Sequence, residues 1–169
     1  MTGRDTYDRA RLGAEIARDE GDELRVYRCT EGKLSIGKGR NLDDFGISAA
    51  ETKALGITKA SVTKHGITQA QSDALFVNDI ARSEADLDRK LPWWRGLDPV
   101  RQRVLLNMCF NMGIGNAQNG LLSFRNTLEM IRTGRYAAAA KAMTQSKWHR
   151  QVGARAARLE AMMETGRAA

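Results

Sequence analysis

A carboxylate that ends a helix and a hydroxyl on the hairpin that follows it are the groups in this chain best suited by type and spacing to catalysis. Asp19-Glu20-Gly21 closes a helical stretch. The run Tyr27-Arg28-Cys29-Thr30-Glu31-Gly32-Lys33-Leu34-Ser35-Ile36-Gly37-Lys38-Gly39 then reads as a glycine-turned hairpin whose second strand presents Ser35. An acid on a rigid helix end, facing polar groups on a small sheet, suits the cleavage of glycosidic bonds: the acid protonates the bridging oxygen as positive charge develops on the departing sugar carbon. Glu20 is the candidate acid. Cys29 admits three roles: a thiolate that stabilises or attacks the cationic transition state, a thiol that helps position water, or a bystander to Glu20 and Ser35. An ordinary cysteine thiol, with a pKa of about 8.5, is only a few per cent ionised at pH 7. A thiolate role therefore needs a cation beside it, and Arg28, Lys38 and Arg40 are the candidates. Glu31, two residues on from Cys29, is a carboxylate without an assigned role.

The elements that must hold these groups can be read from pattern. Tyr7 to Arg18 forms a short amphipathic helix with Asp5 as N-cap, and Glu20 ends it where Gly21 stops the helix. Leu24 to Phe45, with short alternating runs between glycines, reads as a small antiparallel sheet. Ser48 with Glu51, and Thr68 with Gln71, have the spacing of capping boxes, separated by a weakly patterned stretch from Gly56 to Gly66. From Thr68 a stripe of Ala70, Phe76, Ile80, Leu87 and Leu91 sustains one long helix. The composition shifts at Leu91-Pro92, and Asp98 with Pro99 starts a central buried helix that runs to Gly113. Ser123 to Thr133, Arg135 to Gln145 and Gly153 to Glu164 supply the remaining helices. The fold class is α+β and mostly helical.

The hairpin segment resembles the catalytic motif of the T-even-phage-type lysozymes, the muramidases with which tailed phages open the bacterial wall. The resemblance continues in order through Leu97-Asp98-Pro99-Val100-Arg101, Leu106 to Gly113, Phe124 to Leu128, Ser146-Lys147-Trp148 and Arg155 to Arg158. It covers about residues 12 to 165. The fold it implies is a single lysozyme-like domain: an N-terminal lobe over about 12–67, a connecting helix over about 68–91, and a helical C-terminal lobe over about 92–165 on which residues 1–18 pack. The site it implies has Glu20 as acid, Arg155 closing on it, and Arg158 paired with Asp19. Gly39, Phe110, Asn111 and Thr127 line or border the cleft, and Trp148 packs the C-terminal lobe. Three positions depart from the family. Cys29 stands where an aspartate is usual, Ser35 where a threonine is, and Arg40 where a histidine often follows the last hairpin glycine. Serine keeps the hydroxyl. Cysteine changes the chemistry, and a water-positioning or electrostatic role leans toward inversion, with Ser35 holding the water.

The implied activity is that of an endolysin hydrolysing the β-1,4 bond between N-acetylmuramic acid and N-acetylglucosamine in peptidoglycan, without a cofactor. Loss of the aspartate keeps two rivals in view: a lytic transglycosylase acting on the same bond, and a wall-binding phage protein whose catalysis is retired. Composition narrows the setting. The 169 residues suffice for one good core or two small lobes. No run reaches the roughly 18 apolar residues of a membrane span, and Met1 to Arg11 lacks the apolar centre of a secretory signal. The expected location is the host cytoplasm before lysis, with passage to the periplasm through a holin. The net charge of +7 and pI near 9.8 favour polyanions, including an anionic envelope surface. The basic residues are scattered and aromatics make up only 6%, which argues against a dedicated nucleic-acid partner. Two cysteines make no disulfide framework, and Cys109, in an apolar run, reads as an inert core residue. His65 and His149 lack metal-ligand spacing, so no metal site is expected. Trp93 and Trp94 read as one buried and one exposed, and a monomer is expected.

Overall fold

The computed structural model describes residues 7–169, so Asp5, the expected cap of the first helix, lies outside them. The described residues form two compact units: Gly13–Ala81, and residues 7–12 with Arg82–Ala169. Two helices, α1 (Arg9–Glu20) and α4 (Gln69–Lys90), each have one end in either unit. The architecture is α+β and mostly helical, with one small antiparallel sheet.

In the first unit, α1 ends at Gly21, whose φ of 75° is one that glycine adopts without strain and whose N–H returns to the Ala17 carbonyl at 2.8 Å. At its other end Asp8 serves as a cap, its Oδ1 accepting the Arg11 N–H at 2.9 Å. Strands β1 (Glu23–Arg28), β2 (Leu34–Gly37) and β3 (Arg40–Asn41) follow in that order, all antiparallel. Tyr27 pairs with Ser35 and Arg28 with Leu34, and the register shifts between Glu23 and Tyr27. Helices α2 (Ala49–Leu55) and α3 (Lys59–His65) precede α4. Ile36, Leu42, Ile57, Val62, Ile67 and Leu75 form the core, with Val26 and Leu34 packed against it. Each such side chain contributes about 1.5–3 kcal/mol by leaving water. So small a sheet does not hold on its own; this apolar layer fastens it to the helices.

The expected capping boxes at Ser48/Glu51 and Thr68/Gln71 are both formed. Helix α3 occupies the stretch that looked weakly patterned, and it too has a reciprocal cap, between Thr58 and Ser61. Ala70 is exposed rather than part of the buried stripe of α4; Leu75 joins Phe76, Ile80 and Leu87 there instead.

In the second unit, a 3₁₀ turn at Pro92–Gly96 leads to α5 (Pro99–Met112), capped by Asp98, whose side chain accepts the Arg101 N–H. Residues 102–109 of α5 are buried throughout. Around it lie α6 (Arg125–Arg132), α7 (Tyr136–Thr144), α8 (Lys147–Val152) and α9 (Ala154–Thr165), with α9 packing on α5, α7 and α8. The short α8, begun by a Ser146 cap, was not anticipated. Trp94 is fully buried and Trp93 half-buried; Trp148 and Cys109 are core residues. Burial pushes the Cys109 thiol up to about 12, consistent with inertness.

Candidate active site

The last residue of α1 brings Glu20 to the turn between β2 and β3. There Gly39 has φ +84°, and a Cβ on it would stand 3.1 Å from Glu20 Oε2 and 3.2 Å from Cδ. The absence of a side chain at 39 therefore makes room for the carboxylate against the hairpin backbone. The neighbouring Asp19 side chain is only 2% exposed and lies 3.9 Å from Arg18 Nε. The turn after α1 is tied down through Asp22, which accepts from Ser72 Oγ at 2.6 Å and Gln69 Nε2 at 2.7 Å and pairs with Lys38 Nζ at 3.1 Å. Burial works against ionisation of Asp22, but these three donors outweigh it and lower its pKa.

The faces of the sheet sort the remaining groups. Ile36 is fully buried in the core, so its neighbour Ser35 points to the opposite face. Tyr27, directly across from Ser35, shares that face. Ser35 is 3% exposed and donates to the Lys33 carbonyl at 3.3 Å. Cys29 closes the hairpin, donating its N–H to Lys33 O at 2.9 Å and accepting from Gly32 N at 2.8 Å, with its thiol partly exposed. Tyr27 was not singled out from sequence. Burial first, then the charges of Glu20, Cys29 and Glu23, push its phenol up to about 12. Its pairing with Ser35 was the signal that could have found it.

The three cations considered for Cys29 are committed elsewhere. Arg28 Nη1 donates to Gly32 O at 2.8 Å. Lys38 Nζ lies 3.1 Å from Asp22 and 2.8 Å from Asp73. Arg40 is buried, with every guanidinium N–H accounted for: Nε to Asp79 at 3.0 Å, Nη1 to Gly46 O and Glu51 Oε1 at 3.0 and 2.8 Å, and Nη2 to Glu51 Oε2 and Leu75 O at 2.7 and 3.3 Å. Burial opposes the Arg40 charge, yet Glu51 and Asp79 raise its pKa above the ordinary range. The hydrogen bonds from Arg40 prevail over burial at Glu51 and, with those from Asn78 and the Ser48 backbone, hold its carboxyl at about 2.

The other candidates belong to the helical unit. Arg155, near the start of α9, is buried and donates from Nε to Asn107 Oδ1 at 2.9 Å; Arg158 is half-buried. Phe110 and Asn111 lie partly exposed at the end of α5. Asn111 is oriented by the Trp148 indole, which donates to its Oδ1 at 2.9 Å. Thr127 is buried and lines an open pocket of about 910 Å³ with Phe124, Arg125, Lys147, Trp148 and Gln151. Trp148 stands edge-on to Phe124, ring centroids 6.1 Å apart. Phe110, Asn111 and Thr127 thus share one unit, and Asp19, Glu20, Cys29, Ser35 and Gly39 the other. A pair not foreseen, His149 Nδ1 and Glu160 Oε1 at 2.6 Å, ties α8 to α9. Among the described residues, no group of three or more His, Cys, Asp or Glu could hold a metal ion.

Comparison with known proteins shows the family. Residues 17–164 match the phage lysozyme family. "Probable T4-type lysozyme 1" of Dictyostelium discoideum is 30% identical over 157 residues, 88% of this chain and 90% of that protein. The pre-baseplate central spike protein Gp5 of Enterobacteria phage T4 is 31% identical over 160 residues, 89% of this chain but 27% of the spike protein. The chain belongs to the phage lysozyme family, and its class is that of the lysozyme-like glycoside hydrolases.

Proposed function

We propose that this protein is an endolysin of the muramidase type, hydrolysing the β-1,4 bond between N-acetylmuramic acid and N-acetylglucosamine to lyse a bacterial host. The observation that carries the reading is the Glu20 carboxylate, fixed at the end of α1 against Gly39. In this reading Glu20 gives its proton to the bridging oxygen as the C1–O bond breaks, and water adds to C1. Cys29 stands beside the reacting water in a positioning or electrostatic role, with Arg28, Lys38 and Arg40 held by other groups. Asp19, Arg155 and Arg158 support the acid, and Gly39, Phe110, Asn111 and Thr127 contact the glycan. No cofactor takes part. No helix among the described residues is long and apolar enough to cross a membrane; in this proposal the protein, a monomer, leaves the host cytoplasm through a holin, and its cationic residues hold it at anionic parts of the envelope.

The second reading, lytic transglycosylase, is favoured by one feature: Cys29 replaces a carboxylate that would handle water. The masses of soluble fragments released from purified peptidoglycan, with Glu20→Gln alongside, test both. Hydrated reducing ends that the variant fails to release support the muramidase. Anhydromuramic ends mean transglycosylase. Full activity of Glu20→Gln removes the assignment of Glu20, and no fragments from the unaltered protein mean a retired site.

A further inference from the structure

We infer that Tyr27 is a positioning residue of this site, its phenol oxygen orienting the water that attacks the sugar carbon. This role rests on the hydrolase reading above and assigns the work expected of Ser35 chiefly to another residue. The Ser35 hydroxyl is nearly enclosed, and its proton is directed to the Lys33 carbonyl. Tyr27 stands directly across the strand pair on the same face, where opposed Cβ atoms are about 5 Å apart, and is only partly buried. A phenol reaches several ångströms further from the sheet than a serine hydroxyl. Tyr27 therefore carries an oxygen beyond the layer in which Ser35 ends.

Three features suit that oxygen to water rather than to covalent attack. Burial and the charges of Glu20, Cys29 and Glu23 keep the phenol protonated over the whole working pH range, so no phenolate forms to compete as a nucleophile. The strand register that sets it opposite Ser35, two residues before Cys29, places it among the groups the reaction would use. An aromatic side chain also has just two torsions to fix, so holding it in place costs little conformational entropy. In the step itself, Glu20 transfers its proton to the departing oxygen as the C1–O bond breaks. The water oxygen bonds to C1 with one of its hydrogens accepted by the Tyr27 oxygen. The water's surplus proton passes to solvent, from which Glu20 is reprotonated. Tyr27 gains and loses nothing.

The test compares Tyr27→Phe and Ser35→Ala with the unaltered protein on purified peptidoglycan, reading kcat, KM and the ratio of hydrated to anhydromuramic ends. Tyr27→Phe is expected to lower kcat roughly 10- to 100-fold with KM within about two-fold, and to raise the share of anhydro ends, because a sugar cation without a placed water closes on its own hydroxyl. Ser35→Ala should do less on both counts. A purely structural role would leave the end-group ratio where it was. If Tyr27→Phe keeps the parent kcat and end-group ratio while Glu20→Gln is inactive, the role of Tyr27 is overturned and the hydrolase stands. If the unaltered protein releases no fragments, both fall together.

Discussion

The two units use charge in opposite ways. Residues 13–81 carry 9 Lys and Arg against 11 Asp and Glu, whereas residues 82–169 carry 15 against 7. In the first unit, cations are drawn into the structure: Arg40 between Glu51 and Asp79, Lys38 between Asp22 and Asp73. In the second, Arg125, Lys141, Lys147 and Arg150 are exposed, and no carboxylate among the described residues pairs with them. Buried, mutually satisfied charges specify geometry, and removing one partner leaves another stranded. Exposed cations do little for stability and act instead on whatever polyanion approaches. The same residue types therefore shape the turns around Glu20 in one unit and face solvent in the other.

The contrast can be broken most forcefully at Arg40. Arg40→Ala strands Glu51 and Asp79 and should lower unfolding free energy by about 3–5 kcal/mol in denaturant titration. Arg150→Ala should change it by less than about 0.5 kcal/mol. Equal effects would erase the distinction.

Acid should expose the same network. Because the folded Glu51 pKa is about 2 against an ordinary 4.5, its contribution is fully present above pH 4.5 and is lost as pH falls toward 2. The loss amounts to about 3 kcal/mol. Thermal melts between pH 6 and 2 check it, and Glu51→Gln should flatten that part of the profile.

At Gly39 the expected cost is smaller in stability but concentrated in function. Gly39→Ala combines a positive φ with a Cβ crowding Glu20, and should cost about 1–2 kcal/mol. Fragment release should fall more steeply than that figure alone implies, since Glu20 must shift. Wild-type turnover would show the close approach to be incidental.

Lys147→Glu with Arg150→Glu should have the least effect on folding. It should leave Tm unchanged within about 3 °C, yet weaken sedimentation with anionic wall preparations several-fold at low salt and little at high salt. A salt dependence identical to the parent's would show that these cations face no polyanion.

Much of the frame was legible because its signals are local. Thr68 with Gln71 and Asp98 with Pro99 announce helices whose caps need only near neighbours, and Gly21 stops α1 directly after Glu20. Helix α3 escaped notice because Thr58 is answered by Ser61, a hydroxyl, where the familiar signature has Glu or Gln. The fate of Arg40 could not be read from sequence at all: Asp79 is 39 residues away, and only the folded chain chooses it over Cys29 as neighbour. Tyr27 lay within the motif but was passed over, since its relevance comes from a strand register and not from its own spacing to Glu20.

The guanidinium of Arg40 gathers the Gly46 and Leu75 carbonyls and the Glu51 and Asp79 carboxylates, drawing on the loop before α2, α2 itself and two successive turns of α4. None of these stretches can open without breaking contacts that hold the others. Amide hydrogens of α2 and the middle of α4 should therefore exchange with solvent deuterium through one shared opening, with one common protection energy, and not as separately fraying helices.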